Sequence, residues 1–184
     1  GEERSEGLTE HLVSMGFSSG RLKTGTPPRL AKDTVDWDRM NLTLGDTDPT
    51  PFSYSTDNFR PPNEPCFTTN SNSLSHDVIQ DNLEKSPMFS GEIDGIGPRY
   101  CPSIEDKVHR FPNRDSHVLF LEPEWKNSDQ IYLNGFSTSL PEDVQLKSLR
   151  QVSGLEMVEF FRPGYAIEYD FFPPSQLKTT LESK

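Results

Sequence analysis

Apolar residues in this chain fall in short runs, each stopped by glycine, proline or small polar residues, and none approaches the roughly 20 needed to span a bilayer. Leu8, Leu12 and Met15 recur at helical spacing ahead of Gly16, which predicts a short helix over residues 9–15 ended by a glycine cap. A second helix is expected from an N-cap at Ser75 to about Lys85, with Val78, Ile79 and Leu83 turned inward. Residues 118–121 and 130–133 read as strands, joined through Glu122-Pro123-Glu124-Trp125 and closed by Asn134-Gly135. Ser139-Leu140-Pro141-Glu142 has the form of a capping box, opening a helix whose Leu146, Leu149 and Val152 face a core and whose stop is Gly154. Final strands are expected over residues 157–161 and 166–171, parted by Pro163-Gly164. Residues 41–65 mix Asp, Asn, Thr, Ser and Pro without a period, so they read as loop or weakly paired strand. Short strands and helices alternating without a GxGxxG opening suggest an α+β or mixed insertion domain.

Composition narrows this picture. At 184 residues the chain has room for one domain, yet 32% hydrophobic residues and 16 prolines imply long loops. The formal charge of −11 argues against a free-standing RNA binder, because nucleic-acid affinity rests on phosphate neutralisation. Arg21, Lys23, Arg29 and Lys32 form an acid-free run that reads equally as a local basic patch or a solvated loop. Cys66 and Cys101 make no disulfide framework, and with His76, His109 and His117 they match no zinc spacing, so a reducing compartment and no structural metal are expected. No basic-then-apolar signal opens the chain, which reads as soluble; residues 1–7 read as a truncated interior edge, with any targeting segment lying outside.

The chemistry concentrates in Gly97, Pro98, Arg99, Tyr100, Cys101, Pro102, Ser103, Ile104, Glu105, Asp106, Lys107, Val108, His109, Arg110 and Phe111. A thiolate is favoured by nearby positive charge, and here Arg99, Lys107, His109 and Arg110 lie close in sequence. A helix starting at Ser103 would use that side chain as N-cap and aim its first amides toward Cys101, an arrangement that could also bind an anion. On such a helix Lys107 and Arg110 share a face, and Glu105 and Asp106 occupy the first turn. The plainer alternative makes Cys101 a small buried hydrophobe and the charges a solvated face.

This segment resembles the first signature of the MnmG/GidA family, flavin-dependent enzymes that modify the wobble uridine of certain tRNAs. Gly20-Arg21-Leu22-Lys23-Thr24-Gly25-Thr26-Pro27-Pro28-Arg29 is a second match, and the resemblance extends through residues 82–91, 120–124, 134–141 and 162–171. It implies that residues 97–111 bind NADH and that Cys101 is catalytic, as acid, base or nucleophile. It also implies an α+β, NADH-binding-like insertion domain at residues 31–172, with residues 1–30 crossing from an FAD-binding domain and residues 173–184 returning to it. The FAD site would lie mostly outside the chain, as would the family's GxGxxG, its other important cysteine, its Ala-Gly-Gln signature and its helical C-terminal region. The implied parent enzyme uses FAD and NADH, takes tRNA as substrate and a folate-borne one-carbon donor, works with an MnmE-like GTPase and forms a homodimer; the isolated piece is expected to be inactive. Arg99 and Lys107 would touch dinucleotide phosphates. The Phe111-Pro112-Asn113-Arg114 run is similar to mitochondrial members, with a bacterial cytoplasm as the alternative.

Asn70, Trp125, Leu133 and Ser175 stand where the family usually has His, Gly, Pro and Arg. Trp125 and Leu133 should reshape a hairpin, and Asn70 would remove an imidazole near Cys66. Two other readings remain open. One is a non-catalytic docking module for a partner protein or tRNA. The other is a cysteine hydrolase pairing Cys101 with His109 or His117, for which no oxyanion context is visible.

Overall fold

The computed structural model describes residues 6–91, 95–98 and 100–184. Helix α1 covers Leu8–Ser14 and is followed by strand β1, Gly20–Gly25. Strands β2 (Arg29–Ala31), β3 (Asn41–Thr43) and β4 (Cys66–Asn70) come next, then helices α2 (Ser73–Gln80), α3 (Pro87–Ser90) and α4 (Ile104–Arg110). Strands β5 (Val118–Pro123) and β6 (Gln130–Asn134), helix α5 (Glu142–Leu149) and strands β7 (Phe160–Arg162) and β8 (Ala166–Phe171) complete the chain.

Six strands form one sheet in the order β3-β4-β5-β6-β2-β7, every neighbour antiparallel. The alternation on β5 sets its faces: Leu119 and Leu121 are fully buried while Val118 and Phe120 are exposed. Helices α2, α4 and α5 supply Ile79, Ile104, Val108, Val144 and Leu149 to the same core as Leu30, Ile131 and Leu133 of the sheet. Each such side chain contributes about 1.5–3 kcal/mol by leaving water. The other sheet face carries Arg29, Phe120, Glu122 and Tyr132 along with Val118. The α+β class expected from sequence is therefore what forms.

The remaining strands make a separate ribbon, β1 with β8, registered from Gly20 opposite Phe171 to Gly25 opposite Ala166. Chain enters and leaves the six-stranded body through this one ribbon. Where the two meet, backbones are close enough that glycine is required by space: a Cβ on Gly25 would lie 2.8 Å from the Thr138 backbone, and one on Gly164 would lie 2.4 Å from the Thr26 carbonyl. Thr138 N–H donates to Thr26 O at 3.1 Å. Thr26 Oγ1 and Tyr165 exchange hydrogen bonds at 3.0 and 2.9 Å, and the buried Gln145 amide binds both N–H and C=O of Gly164 at 2.8 Å.

Several local expectations change. Gly25 ends a strand by close packing and does not make a tight turn. Helix α2 begins earlier than expected, because Asn72, not Ser75, accepts the capping hydrogen bond, at 2.9 Å from Ser75 N–H; the Ser75 hydroxyl instead meets Ser148 of α5. Ser139 is likewise no cap, for Pro141 occupies the N-cap of α5 and the Ser139 side chain turns inward. Leu8 of α1 and Met15 just after it are 71% and 64% exposed, and of the predicted apolar stripe only Leu12 is half-buried. Leu133 is fully buried and its N–H donates to Pro28 O, whereas Trp125 is exposed beyond the end of β5. Asn70 and Cys66 sit at opposite ends of β4. Among the described residues no helix is long and apolar enough to cross a membrane.

Candidate functional site: the Cys101 loop and the sheet end beside it

The fifteen residues singled out by sequence divide into two parts with different fates. Gly97, Pro98, Tyr100, Cys101 and Pro102 form a surface loop in which Cys101 is exposed; Arg99 lies outside the described residues. The plain reading of Cys101 as a buried hydrophobe therefore fails. From Ser103 the chain is helical, and Ser103 Oγ accepts Asp106 N–H at 3.1 Å, as a cap should. Ile104 and Val108 are core residues. His109, Arg110 and Phe111 are exposed, with His109 edge-on to Phe89 at 5.7 Å.

The expected anion cradle at the start of α4 is taken up internally. Ile104 N–H donates to Ser137 O at 2.7 Å, and Asp106 N–H is on Ser103. Two of the first amides of the helix are thus engaged within the chain. Lys107 and Arg110 also part company. Arg110 stays on the surface with Asp106 at 3.5 Å, while Lys107 is drawn in and donates to Gly135 O at 2.8 Å. Burial lowers the Lys107 pKa below the usual lysine range, and the charge of Cys101 opposes that shift.

Lys107 stands where three strands end. Gly135 follows β6 with φ of 95°, and a Cβ there would lie 2.7 Å from Val118 O at the start of β5. His117 precedes Val118, and its backbone is clamped to Ser71 beyond β4 by Ser71 N–H to His117 O at 2.9 Å and His117 N–H to Ser71 Oγ at 2.8 Å. Ser71 Oγ also meets His76 Nε2 at 2.7 Å, and the two imidazoles lie 5.3 Å apart. Burial lowers both histidine pKa values; His117 is pushed further by His76, Lys107 and Arg114, whereas Asp77, Asp115 and the Arg114 carbonyl work the other way on His76. His117 Nε2 is buried without a partner among the described residues. Sequence gave no sign of this pairing, since His76 and His117 come from different elements with no shared motif.

On the open sheet face the register sets Arg29 opposite Tyr132 and Tyr132 opposite Glu122. Arg29 pairs with Glu124 at 3.0 Å and lies 4.9 Å over the Tyr132 ring. Burial raises the Tyr132 pKa; Arg29 opposes this, and Glu122, Glu124 and Cys101 add to it. Both Lys107 and Tyr132 therefore feel Cys101, which stands near the Gly135 end of the sheet. Cys66 is less available, its thiol pKa pushed up by burial and then by Glu122. The acid-free run of residues 21–32 is not a bare basic patch: Arg21 bridges Asp170 and Glu168 at 2.6 and 2.8 Å, Lys23 donates to Met88 O, and Arg29 is paired as above.

Glu105 departs furthest from expectation. It is not a solvated first-turn acid but a fully buried carboxyl. Its Oε1 accepts Ser139 N–H at 2.8 Å and faces the Ser139 and Ser86 hydroxyls at 3.3 and 3.4 Å. The signal was present in the helical spacing, because position 105 shares the inward side of α4 with Ile104 and Val108. Among the described residues no group of three acidic, histidine or cysteine side chains is placed to hold a metal ion.

A family model described as glucose inhibited division protein A matches residues 1–184. Proteins named tRNA uridine 5-carboxymethylaminomethyl modification enzyme MnmG from Flavobacterium psychrophilum and Syntrophotalea carbinolica are each 55% identical to this chain, over 186 and 184 residues. Each alignment covers 100% of this chain and 30% of the relative. The form I crystal structure of Aquifex aeolicus GidA superposes with a TM-score of 0.86 at 46% identity, covering 100% of this chain and 32% of that one. The chain thus spans less than a third of these proteins' length.

Proposed function

The chain belongs to the glucose inhibited division protein A family, and on that premise we propose that it is the Cys101-bearing part of an enzyme that modifies carbon 5 of the tRNA wobble uridine. The observation that carries this reading is local. A thiol stands exposed on a loop anchored by a helix, within the electrostatic reach of a half-buried ammonium and a tyrosine. Cys101 would act on the substrate as acid, base or nucleophile, with Lys107 holding positive charge beside it.

In this reading bound FAD and NADH supply the redox equivalents, a folate supplies the new carbon, and an MnmE-like GTPase and a second copy of the enzyme complete the assembly. Residues 31–172 would be the insertion domain, with residues 1–30 and 173–184 crossing to the flavin-binding part. The β1–β8 ribbon supports that arrangement, because its register sets Gly20 of the first crossing opposite Phe171, two residues before the return segment begins. With the Ile104 and Asp106 amides of α4 already engaged, this segment's share in NADH binding would fall mainly to side chains, Lys107 and Arg110 among them.

The test is a Cys101→Ser change in the full-length polypeptide. Loss of tRNA modification with flavin still bound supports the proposal; undiminished modification removes Cys101 from the chemistry. A second reading, a non-catalytic docking module, draws on the exposure of Leu8, Met15, Phe52 and Tyr54. It predicts that substitutions at these positions reduce capture of a partner while Cys101→Ser is silent.

A further inference from the structure

We propose that Glu105 is a positioning residue that fixes the Cys101 loop against the joint between the ribbon and the six-stranded body. This rests on the reading of Cys101 as the reactive thiol, and adds what holds that thiol in place.

Three segments meet at this one carboxyl, and two of them reach on to the ribbon. Glu105 lies four residues past Cys101, in the first turn of α4. Its Oε1 takes the Ser139 amide and faces the hydroxyls of Ser139 and Ser86, which are themselves 2.6 Å apart. One residue before Ser139 is Thr138, hydrogen-bonded to Thr26 at the end of the ribbon. Two residues after Ser86 is Met88, whose carbonyl accepts Lys23 Nζ of the ribbon at 3.0 Å. The loop that carries Cys101, the segment before α3, the segment before α5 and the ribbon are thereby tied through Glu105 and its partners.

Stability alone does not account for a carboxyl here. The neighbouring inward positions of α4 hold Ile104 and Val108, and burying an acid costs free energy that an apolar side chain would not. One oxygen, Oε2, is buried with no partner among the described residues, and burial raises the group's pKa. What the carboxyl supplies is direction: an acceptor for a backbone amide and two hydroxyls belonging to other segments. An apolar residue would fill the space and leave the Ser139 amide unpaired.

The experiment compares Glu105→Ala with Glu105→Gln in the full-length polypeptide, following iodoacetamide labelling of the two thiols separately by peptide mass. Release of the loop changes how the exposed Cys101 thiol is presented to the reagent, so its labelling rate should change by about threefold or more. Cys66, across the body on β4, is the internal control and should keep its rate. Gln keeps the acceptor oxygen and should restore Cys101 to the wild-type rate. An unchanged Cys101 rate in Glu105→Ala overturns the proposal, and so does an equal change at both thiols, which marks general loosening. Should Glu105→Ala fail to fold, Glu105→Asp withdraws the carboxyl by one methylene and carries the same expectations. If Cys101 labelling responds but tRNA modification does not, the positioning stands and the catalytic reading of Cys101 is what fails.

Discussion

Glu105 and Ser139 meet inside the fold, the carboxylate accepting the Ser139 amide at 2.8 Å where neither reaches solvent. Burial raises the Glu105 pKa above its ordinary 4.5, so the folded chain keeps a proton that the unfolded chain releases. The stabilisation tied to that proton is fully present below about pH 4.5 and is lost as pH rises through the folded value. Glu105→Gln cannot ionise and keeps the acceptor. Its stability advantage over wild type should widen between pH 5 and pH 8 in urea unfolding; a constant gap would show that no such proton is held. Glu105→Ala, which strands the Ser139 amide, should cost about 1–3 kcal/mol.

The imidazoles of His76 and His117 predict the opposite slope. Burial lowers both below the ordinary 6.5, so the unfolded chain binds more protons in this range and stability increases with pH. The contribution is complete above about pH 6.5 and is lost as pH falls toward the folded values. Thermal unfolding followed from pH 7.5 down to pH 5 should show a declining midpoint, and a His76→Gln, His117→Gln double variant should flatten it. A decline of equal size in the double variant would place the acid sensitivity elsewhere.

Cys66 should be the slower thiol. Burial and the Glu122 carboxylate both raise its pKa, leaving less thiolate at neutral pH. Replacing Glu122 by Gln removes the second cause alone, so Cys66 alkylation at pH 7 should accelerate severalfold while Cys101 changes less. Equal acceleration of the two would mean that opening of the sheet, not charge, had been measured.

How much of this was legible beforehand depended on range. Where apolar spacing and a turn signal coincide, the elements appear nearly as expected: β5 and β6 ahead of the closing Asn134-Gly135, and α4 behind its Ser103 cap. The misread caps share one cause. Ser75 and Ser139 satisfy local cap patterns, yet each hydroxyl finds a partner more than 50 residues away, Ser148 for one and Ser86 for the other. Local hydrogen-bond signals compete with tertiary partners that spacing does not reveal. The site divides likewise. Cys101 is an exposed loop residue, which decides against the buried alternative, but the charges around it were counted as one set, and the fold sends Lys107 inward, Arg110 outward and Glu105 into the core.

Gly164 and Gly97 make the last contrast, because both lie in segments that carry the family resemblance and only one is explained by packing. A Cβ on Gly164 would strike Thr26 O at 2.4 Å and Thr138 Cγ2 at 2.7 Å, so Gly164→Ala must move backbone at the ribbon joint and should cost about 1–3 kcal/mol. At Gly97 no described atom lies within 4 Å of the same position, and its φ is not among the positive ones. Gly97→Ala should therefore leave stability within about 0.5 kcal/mol of wild type. Any loss of tRNA modification by that variant in the full-length polypeptide would then measure something other than folding: the approach of a ligand or of another domain to the Cys101 loop. Urea unfolding and modification assayed on the same Gly97→Ala preparation separate the two, and full activity would place Gly97 outside any contact surface.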